Sequence, residues 1–234
     1  MFQKFREGMD DQELYLNQLK HFFRENGFSA EPYQIERLAI FASLVAEKNQ
    51  GVNLISRKDV DLIIENHIFF SAFINIFLPD KITNFLDIGT GGGFPGLPLA
   101  IINPFKKAVL VDSTAKKINA VNEFIDKLKL GNVIAENSRV ENPDFISKYS
   151  NKFDLIVSRA TVELDLLLRY ALPLIKEKAY IAAIKGGDLS QEIFKAEIKY
   201  RAYIKKTTIF ELAYKPTNTK NEKDKKLILL ELYK

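Results

Sequence analysis

The spacing of apolar residues changes once along this chain, near residue 80. Before that point it is helical. Leu14, Leu16, Leu19, Phe22 and Phe23 recur close to the helical period. Gly27 reads as a stop, and Ser29-Ala-Glu-Pro32 as a restart with Ser29 or Glu31 at the cap. Ile35, Leu38, Ala39, Phe41, Ala42 and Val45 trace a second amphipathic helix. Asn49-Gln-Gly-Val-Asn53 is a loop signal. A third helical segment spans about Lys58 to Phe77, and Pro79 ends it. Residues 1–80 are expected to be a helical extension packed on the remainder.

From Lys81 strands alternate with helices. Phe85 to Ile88, Ala108 to Asp112, Asn132 to Ala135, Phe153 to Val157 and Ala179 to Ile184 read as strands. Helices are expected from Leu97, over Lys116 to Leu130 with Gly131 as the stop, over Val162 to Ile175 in spite of Pro173, and over Ser190 to Tyr200. Such alternation implies a mostly parallel sheet with helices on both faces. Tyr203 to Leu212 and Lys226 to Tyr233 are β-like and flank the polar loop Lys215-Pro-Thr-Asn-Thr-Lys-Asn. No helix fits that loop, so the last two strands should form an antiparallel hairpin. The expected fold over residues 81–234 is α/β and Rossmann-like, with a seven-stranded, mostly parallel sheet closed by the hairpin.

In such sheets ligands bind at the carboxyl ends of the strands. The chemistry-bearing residues fall there. Asp87 ends the first strand, and Gly89, Gly91, Gly92, Gly93 and Gly96 follow. Glycine lets the backbone take φ > 0 and lets a ligand approach closely. A helix start after such a turn is expected to offer free N–H groups to a nucleotide-like cofactor. Asp112 ends the second strand, where it can accept hydrogen bonds from two ribose hydroxyls. Spacing alone leaves two cofactors open. Gly91-x-Gly93-x-x-Gly96 fits a dinucleotide turn, and Gly89-x-Gly91-x-Gly93 fits the S-adenosylmethionine (AdoMet) turn of class I methyltransferases. Two features favour AdoMet. Asp87 stands where dehydrogenases usually have an apolar residue. The chain after Lys185 is also too short for the substrate domain that most dehydrogenases add.

Composition narrows the setting. The chain has 234 residues, 47% of them hydrophobic, enough for a sizeable core. There is no cysteine, and His21 and His67 stand far apart, so no metal site is expected. The charged start is not a signal peptide, and no apolar run approaches the roughly 20 residues of a membrane span. A cytoplasmic monomer without membrane contact is expected. Net charge is +4. From Lys199 to Lys234 there are ten Lys or Arg against four Asp or Glu, so the excess lies at the C-terminal end. A basic end suits an anionic partner such as RNA, although a solvated lysine-rich surface accounts for it equally well.

The run Asp87-Ile-Gly-Thr-Gly-Gly-Gly-Phe-Pro-Gly-Leu-Pro-Leu-Ala-Ile resembles the signature of the RsmG (GidB) family. The likeness continues in Asp112-Ser-Thr-Ala-Lys-Lys-Ile118, Asn137-Ser-Arg-Val-Glu141, Ile156-Val-Ser-Arg-Ala160 and Ile184-Lys-Gly186, and reaches back to Asn53-Leu-Ile-Ser56 and His67. Lys48 stands where the family often has a tryptophan, and Phe70 where it often has an aspartate. The resemblance implies an AdoMet-dependent enzyme that methylates guanine N7 in 16S ribosomal RNA, on the small subunit or an assembly particle. The rival readings are a class I methyltransferase acting on another RNA, a protein or a small molecule, a nicotinamide-dependent oxidoreductase, and a non-enzymatic RNA-binding protein.

With the resemblance, residues take expected roles. Asp87, Gly89, Gly91, Gly93 and Phe94 belong to the cofactor turn. Asp112, Ser113 and Thr114 would hold the ribose, and Val140 and Glu141 the adenine. Arg159, at the fourth strand end, is the candidate for positioning substrate and for touching cofactor. Two guanidinium donors can engage guanine O6 or a phosphate. Arg139, Lys185, Lys116 and Lys117 are RNA-contact candidates. His67 is expected to pack between helices, and the aromatics of residues 1–80 to be core. Guanine N7 has a lone pair and no proton, so no general base is expected.

Overall fold

The computed structural model describes residues 10–159, 162–215 and 225–234. Residues 1–9, Ala160 of one family-like block and most of the polar loop after Lys215 lie outside that range. Helix α1 (Asp11–Glu25) starts where the Asp10 carboxylate accepts from Gln12 N, and buries Leu14, Leu19, Phe22 and Phe23. Helix α2 (Pro32–Lys48) opens with a reciprocal cap between Glu31 and Gln34, so Glu31 rather than Ser29 is the cap. The expected third helix is a series of short turns: 3₁₀ over Arg57–Leu62, π over Ile64–Phe69, α3 (Phe70–Phe73), and 3₁₀ over Ile74–Phe77. Ile63, Ile64, Glu65, His67, Ile68, Phe69, Phe70, Ser71, Ala72, Phe73 and Ile74 are all buried. A segment buried on every side has no solvent face to hold one helical period, and packing moulds it.

The remaining elements are β1 (Asn84–Ile88), α4 (Gly96–Ile102), β2 (Lys107–Asp112), α5 (Ala115–Leu128), β3 (Val133–Asn137), α6 (Pro143–Tyr149), β4 (Phe153–Arg159), α7 (Leu164–Ala171), β5 (Ile175–Gly186), α8 (Ser190–Lys199), β6 (Ile204–Glu211) and β7 (Lys225–Tyr233). They form one seven-stranded sheet in the order β3-β2-β1-β4-β5-β7-β6. The first five strands are parallel, and β7 inserts antiparallel between β5 and β6. The expected sheet and closing hairpin are both present.

Three expected boundaries move. Helix α7 stops at Ala171, because Pro173 cannot continue it, and β5 begins at once, with Ile175 paired to Phe153. Helix α5 ends on Lys129, itself left-handed at φ 53°, two residues before the expected glycine. Helix α6 was not anticipated. Asn142 caps it by accepting from Asp144 N, with Pro143 in the first turn.

Each face of the sheet has its own core. On one, Phe85, Leu110, Leu155 and Val157 pack with Phe22, Phe23, Phe41 and Phe69 of the extension. On the other, Leu86, Val109, Ile156 and Ile181 pack with α6, α7 and α8. Polar ties hold the extension in place: Gln34 Nε2 donates to Ile101 O and Ile102 O at the end of α4, and Lys48 bonds Glu123 of α5 at 2.6 Å. The extension thus shares a core with the sheet face that carries the glycine turn.

Candidate active site

Asp87 organises the turn from below. It is fully buried, and its Oδ2 accepts from Thr90 Oγ1 at 2.6 Å and from Gly96 N at 2.9 Å. The start of α4 is therefore capped by this chain's own carboxylate, not left open for a ligand. Two expectations are corrected here: the free amides at α4, and Asp87 as a direct cofactor contact. Burial raises the Asp87 carboxyl to about 7, against the opposing pull of Thr90, the Gly96 amide and the Arg159 charge.

The glycines serve different ends. Gly89 and Gly91 take φ of 72° and 57°, which favours glycine. A Cβ on Gly91 would meet only Gly89 O, at 4.0 Å, so the space over the turn is open. Gly93 and Gly96 are needed for packing. A Cβ there would lie 2.6 Å from Leu97 Cδ1 and 2.7 Å from Asp87 Oδ2 respectively. Phe94 does not line the open side. It is buried beneath the turn, its ring centroid 5.2 Å from both Phe41 and His67.

Asp112 joins the two strand ends. Its Oδ2 accepts from Gly91 N at 3.0 Å and its Oδ1 from Thr114 N at 2.8 Å. The residue stays partly exposed, and each carboxylate oxygen can accept a second bond. An open glycine cradle beside a half-exposed acid fits a ribose and its attached groups, which is the fit AdoMet requires. Ser113 and Thr114 are exposed next to it. After β3, Asn137 Nδ2 and Ser138 N both donate to Asp112 O. Val140 is buried and Glu141 exposed. Arg139 lies 3.7 Å from Glu141, with 75% of its side chain exposed.

Arg159 ends β4. Its Nη2 donates to His67 Nδ1 at 2.7 Å, its Nη1 to Asn66 O at 3.3 Å, and its guanidinium lies 5.2 Å from the Phe94 ring centroid. Burial lowers its pKa to about 10, while Asp87 and Asp59 hold it up. Arg159 stays cationic at neutral pH. His67 is more than a packing residue, since it binds the arginine of the fourth strand end. Sequence reasoning had no route to this pair, because the partners lie 92 positions apart.

Lys185 is not free to meet RNA in this structure. Its Nζ bonds Glu192 Oε1 at 2.6 Å and Val162 O at 2.7 Å, and Glu192 also accepts from Leu164 N. It braces α7 against α8. Lys116 is exposed and Lys117 half-buried in the first turn of α5. Of the two departures from the family pattern, Lys48 holds Glu123, and Phe70 lies under Lys225, whose Nζ is 4.4 Å from the ring centroid. Asn49, read from the sequence only as the start of a loop, accepts from Leu54 N and Ile55 N and sets that loop against Gly92. A hollow of ≈ 590 Å³ lined by Asn84, Lys107, Asn132 and Lys176 lies at the opposite, amino edge of the strands.

Strand order, glycine turn and the acid that closes the second strand define a class I AdoMet-dependent methyltransferase. Solved structures share the fold: a SAM-dependent methyltransferase from Aquifex aeolicus (TM-score 0.52, 18% identity, 80% of this chain and 97% of that one) and M. jannaschii TYW2 in complex with AdoMet (TM-score 0.52, 14% identity, 76% of each). The chain belongs to the GidB family, rRNA small subunit methyltransferase G, whose model matches residues 34–220. It is similar to the Ribosomal RNA small subunit methyltransferase G of Chlorobium luteolum, 39% identical over 192 residues, covering 80% of this chain and 77% of that protein. It also resembles the protein of the same name from Aster yellows witches'-broom phytoplasma, 32% identical over 181 residues, covering 77% and 82%.

Proposed function

We propose that this protein transfers a methyl group from AdoMet to N7 of a guanine in 16S ribosomal RNA, acting as a cytoplasmic monomer on the small subunit or an assembly particle. The observation that carries the site's part is the Asp112 carboxylate bonded to Gly91 N across two strand ends while still partly exposed. The RNA comes from the names of the relatives, and guanine N7 from the family resemblance.

When bound, AdoMet supplies an electrophilic methyl group on a sulfonium, whose transfer to a lone pair on N7 releases no proton. The chain then needs no general base, and its work is to bind, orient and exclude water. Asp112 accepts from the ribose hydroxyls, with Ser113 and Thr114 beside it. Gly89 and Gly91 let the cofactor lie close to the backbone. Val140 and Glu141 flank the adenine. Arg159 orients the acceptor by donating to guanine O6 or a phosphate, leaving N7 clear. Arg139, Lys116 and Lys117 contact RNA phosphates. Lys185 reaches RNA only if its bond to Glu192 opens.

The test compares 16S rRNA from cells with and without the gene, mapping N7-methylguanine by strand cleavage. Loss of one such nucleotide on deletion, restored by the wild-type gene and not by Asp112→Ala, supports the reading. An unchanged map overturns it.

A further inference from the structure

His67 lies on the π turn of the extension and is 7% exposed. Three contacts of its own, and two of its neighbour Asn66, join it to the site. Its Nδ1 is 2.7 Å from Arg159 Nη2, and its Nε2 is 3.5 Å from Asp59 Oδ2. Its ring lies against Phe94 beneath the glycine turn. The neighbouring Asn66 accepts from Arg159 through its carbonyl and donates from its side chain to Asp59 Oδ1 at 3.2 Å. Asp59 and the 66–67 pair therefore hold Arg159 together, from an element outside the sheet.

The chemistry fixes the roles. A guanidinium can only donate, so His67 Nδ1 must be the unprotonated, accepting nitrogen. The proton then sits on Nε2, which is buried, makes no hydrogen bond among the described residues, and lies 3.5 Å from the Asp59 carboxylate. Burial and the Arg159 charge both push the imidazole's pKa far below its usual range, which keeps it neutral. Side chains of arginine are long and rotamer-rich, and fixing the plane of the fork in advance removes that freedom before substrate arrives.

We propose that His67 is a positioning residue for methyl transfer: by accepting from Nη2 it sets the plane of the Arg159 guanidinium at the substrate edge, and the nearby negative charge of Asp59 favours the Nε2-protonated tautomer that allows this. The inference rests on the reading of Arg159 as the group that orients the acceptor. It gives the extension a function beyond packing, as the part that aims the arginine.

Two replacements of His67 separate aiming from packing. His67→Asn loses the ring but keeps an accepting oxygen near the position of Nδ1. His67→Phe keeps a ring against Phe94 but cannot accept. Single-turnover methylation of unmethylated small subunits, AdoMet affinity by calorimetry and thermal melting are read for both, and for Arg159→Ala alone and combined with His67→Phe. Expected is a rate loss of about tenfold or more for His67→Phe, and no more than about threefold for His67→Asn, with AdoMet affinity unchanged in both. Adding His67→Phe to Arg159→Ala is expected to slow the enzyme no further. Full rate in His67→Phe with loss in His67→Asn overturns the proposal, as do losses that multiply in the double variant. If Arg159→Ala keeps its rate, the reading of Arg159 fails and takes the inference with it. If Arg159→Ala is slow while His67→Phe is not, the inference alone fails. Should His67→Phe not melt cooperatively, Asp59→Asn decides: a slower rate at unchanged AdoMet affinity supports the proposal, and an unchanged rate overturns it.

Discussion

Two acids at successive strand ends do different jobs. Asp87 is sealed and holds Thr90 and Gly96, whereas Asp112 is half-exposed and spans Gly91 and Thr114. Asp112→Ala is expected to weaken AdoMet binding by about tenfold or more, the loss expected when a charged hydrogen-bonding partner is removed, as read by calorimetry. Asp87 should appear in stability instead. Its folded pKa of about 7 lies above the unfolded 3.8. Between roughly pH 4 and 7 the folded state therefore binds the extra proton, and this group's contribution to stability falls as pH rises, by at most about 1.4 kcal/mol per unit. Denaturant titrations of Asp87→Asn from pH 4 to 8 are expected to lack that slope. A slope equal to that of the wild type would show that Asp87 titrates normally. Gly96→Ala is expected to cost about 1–3 kcal/mol, because its Cβ would lie 2.7 Å from Asp87 Oδ2 and 2.8 Å from Leu110 Cγ. Both acids and the glycines were legible as a ligand turn, because strand ends and glycine spacing are local. Which acid is sealed depends on the elements packed over it, and no local pattern carries that.

Among elements, strands and long amphipathic helices were the most legible. Helix α5 keeps Ile118, Val121, Phe124, Ile125 and Leu128 on its buried face, so its period shows in the sequence. The stretch from about Lys58 to Phe77 reads as one helix, but its middle, Ile63 to Ile74, is buried on nearly every side and takes irregular turns, while Arg57–Leu62 before it is a 3₁₀ turn with no buried residue. The π turn sits where Asn66 and His67 meet Arg159, and such turns often occur at functional sites. Helix α6 was missed because its seven residues bury only Phe145 and Tyr149, although Asn142-Pro143 was a readable cap. Phe41 joins the extension to the turn, fully buried and with ring centroids 5.2 Å from Phe94 and 5.6 Å from Phe124. Phe41→Ala is expected to cost about 3–5 kcal/mol in denaturant unfolding.

Across the whole molecule, the extension packs directly on the hairpin: Phe210 of β6 lies 4.7 Å from Phe77 between ring centroids, and Leu227 of β7 shares a core with Phe69 and Phe70. Lys225 pairs with Gly186 in the sheet and sits over Phe70, so the basic C-terminal end meets the extension near the substrate edge. Binding to ribosomal subunits is expected to weaken by about tenfold or more between 50 and 200 mM salt as counterions are displaced, while AdoMet affinity stays nearly constant. A filter-binding salt series with a flat RNA curve would remove electrostatics from recognition. That the chain is a methyltransferase was legible from turn, acid and hairpin together. Its RNA substrate was not, because charge near the C-terminus suits any polyanion.

The most direct measurement incubates the purified protein with methyl-labelled AdoMet and small ribosomal subunits lacking the modification, then digests the RNA and identifies the labelled base. Label recovered as N7-methylguanine at one position of 16S rRNA is the predicted result. A folded, AdoMet-binding protein that leaves the 16S rRNA unlabelled, or places the label on another atom, contradicts it.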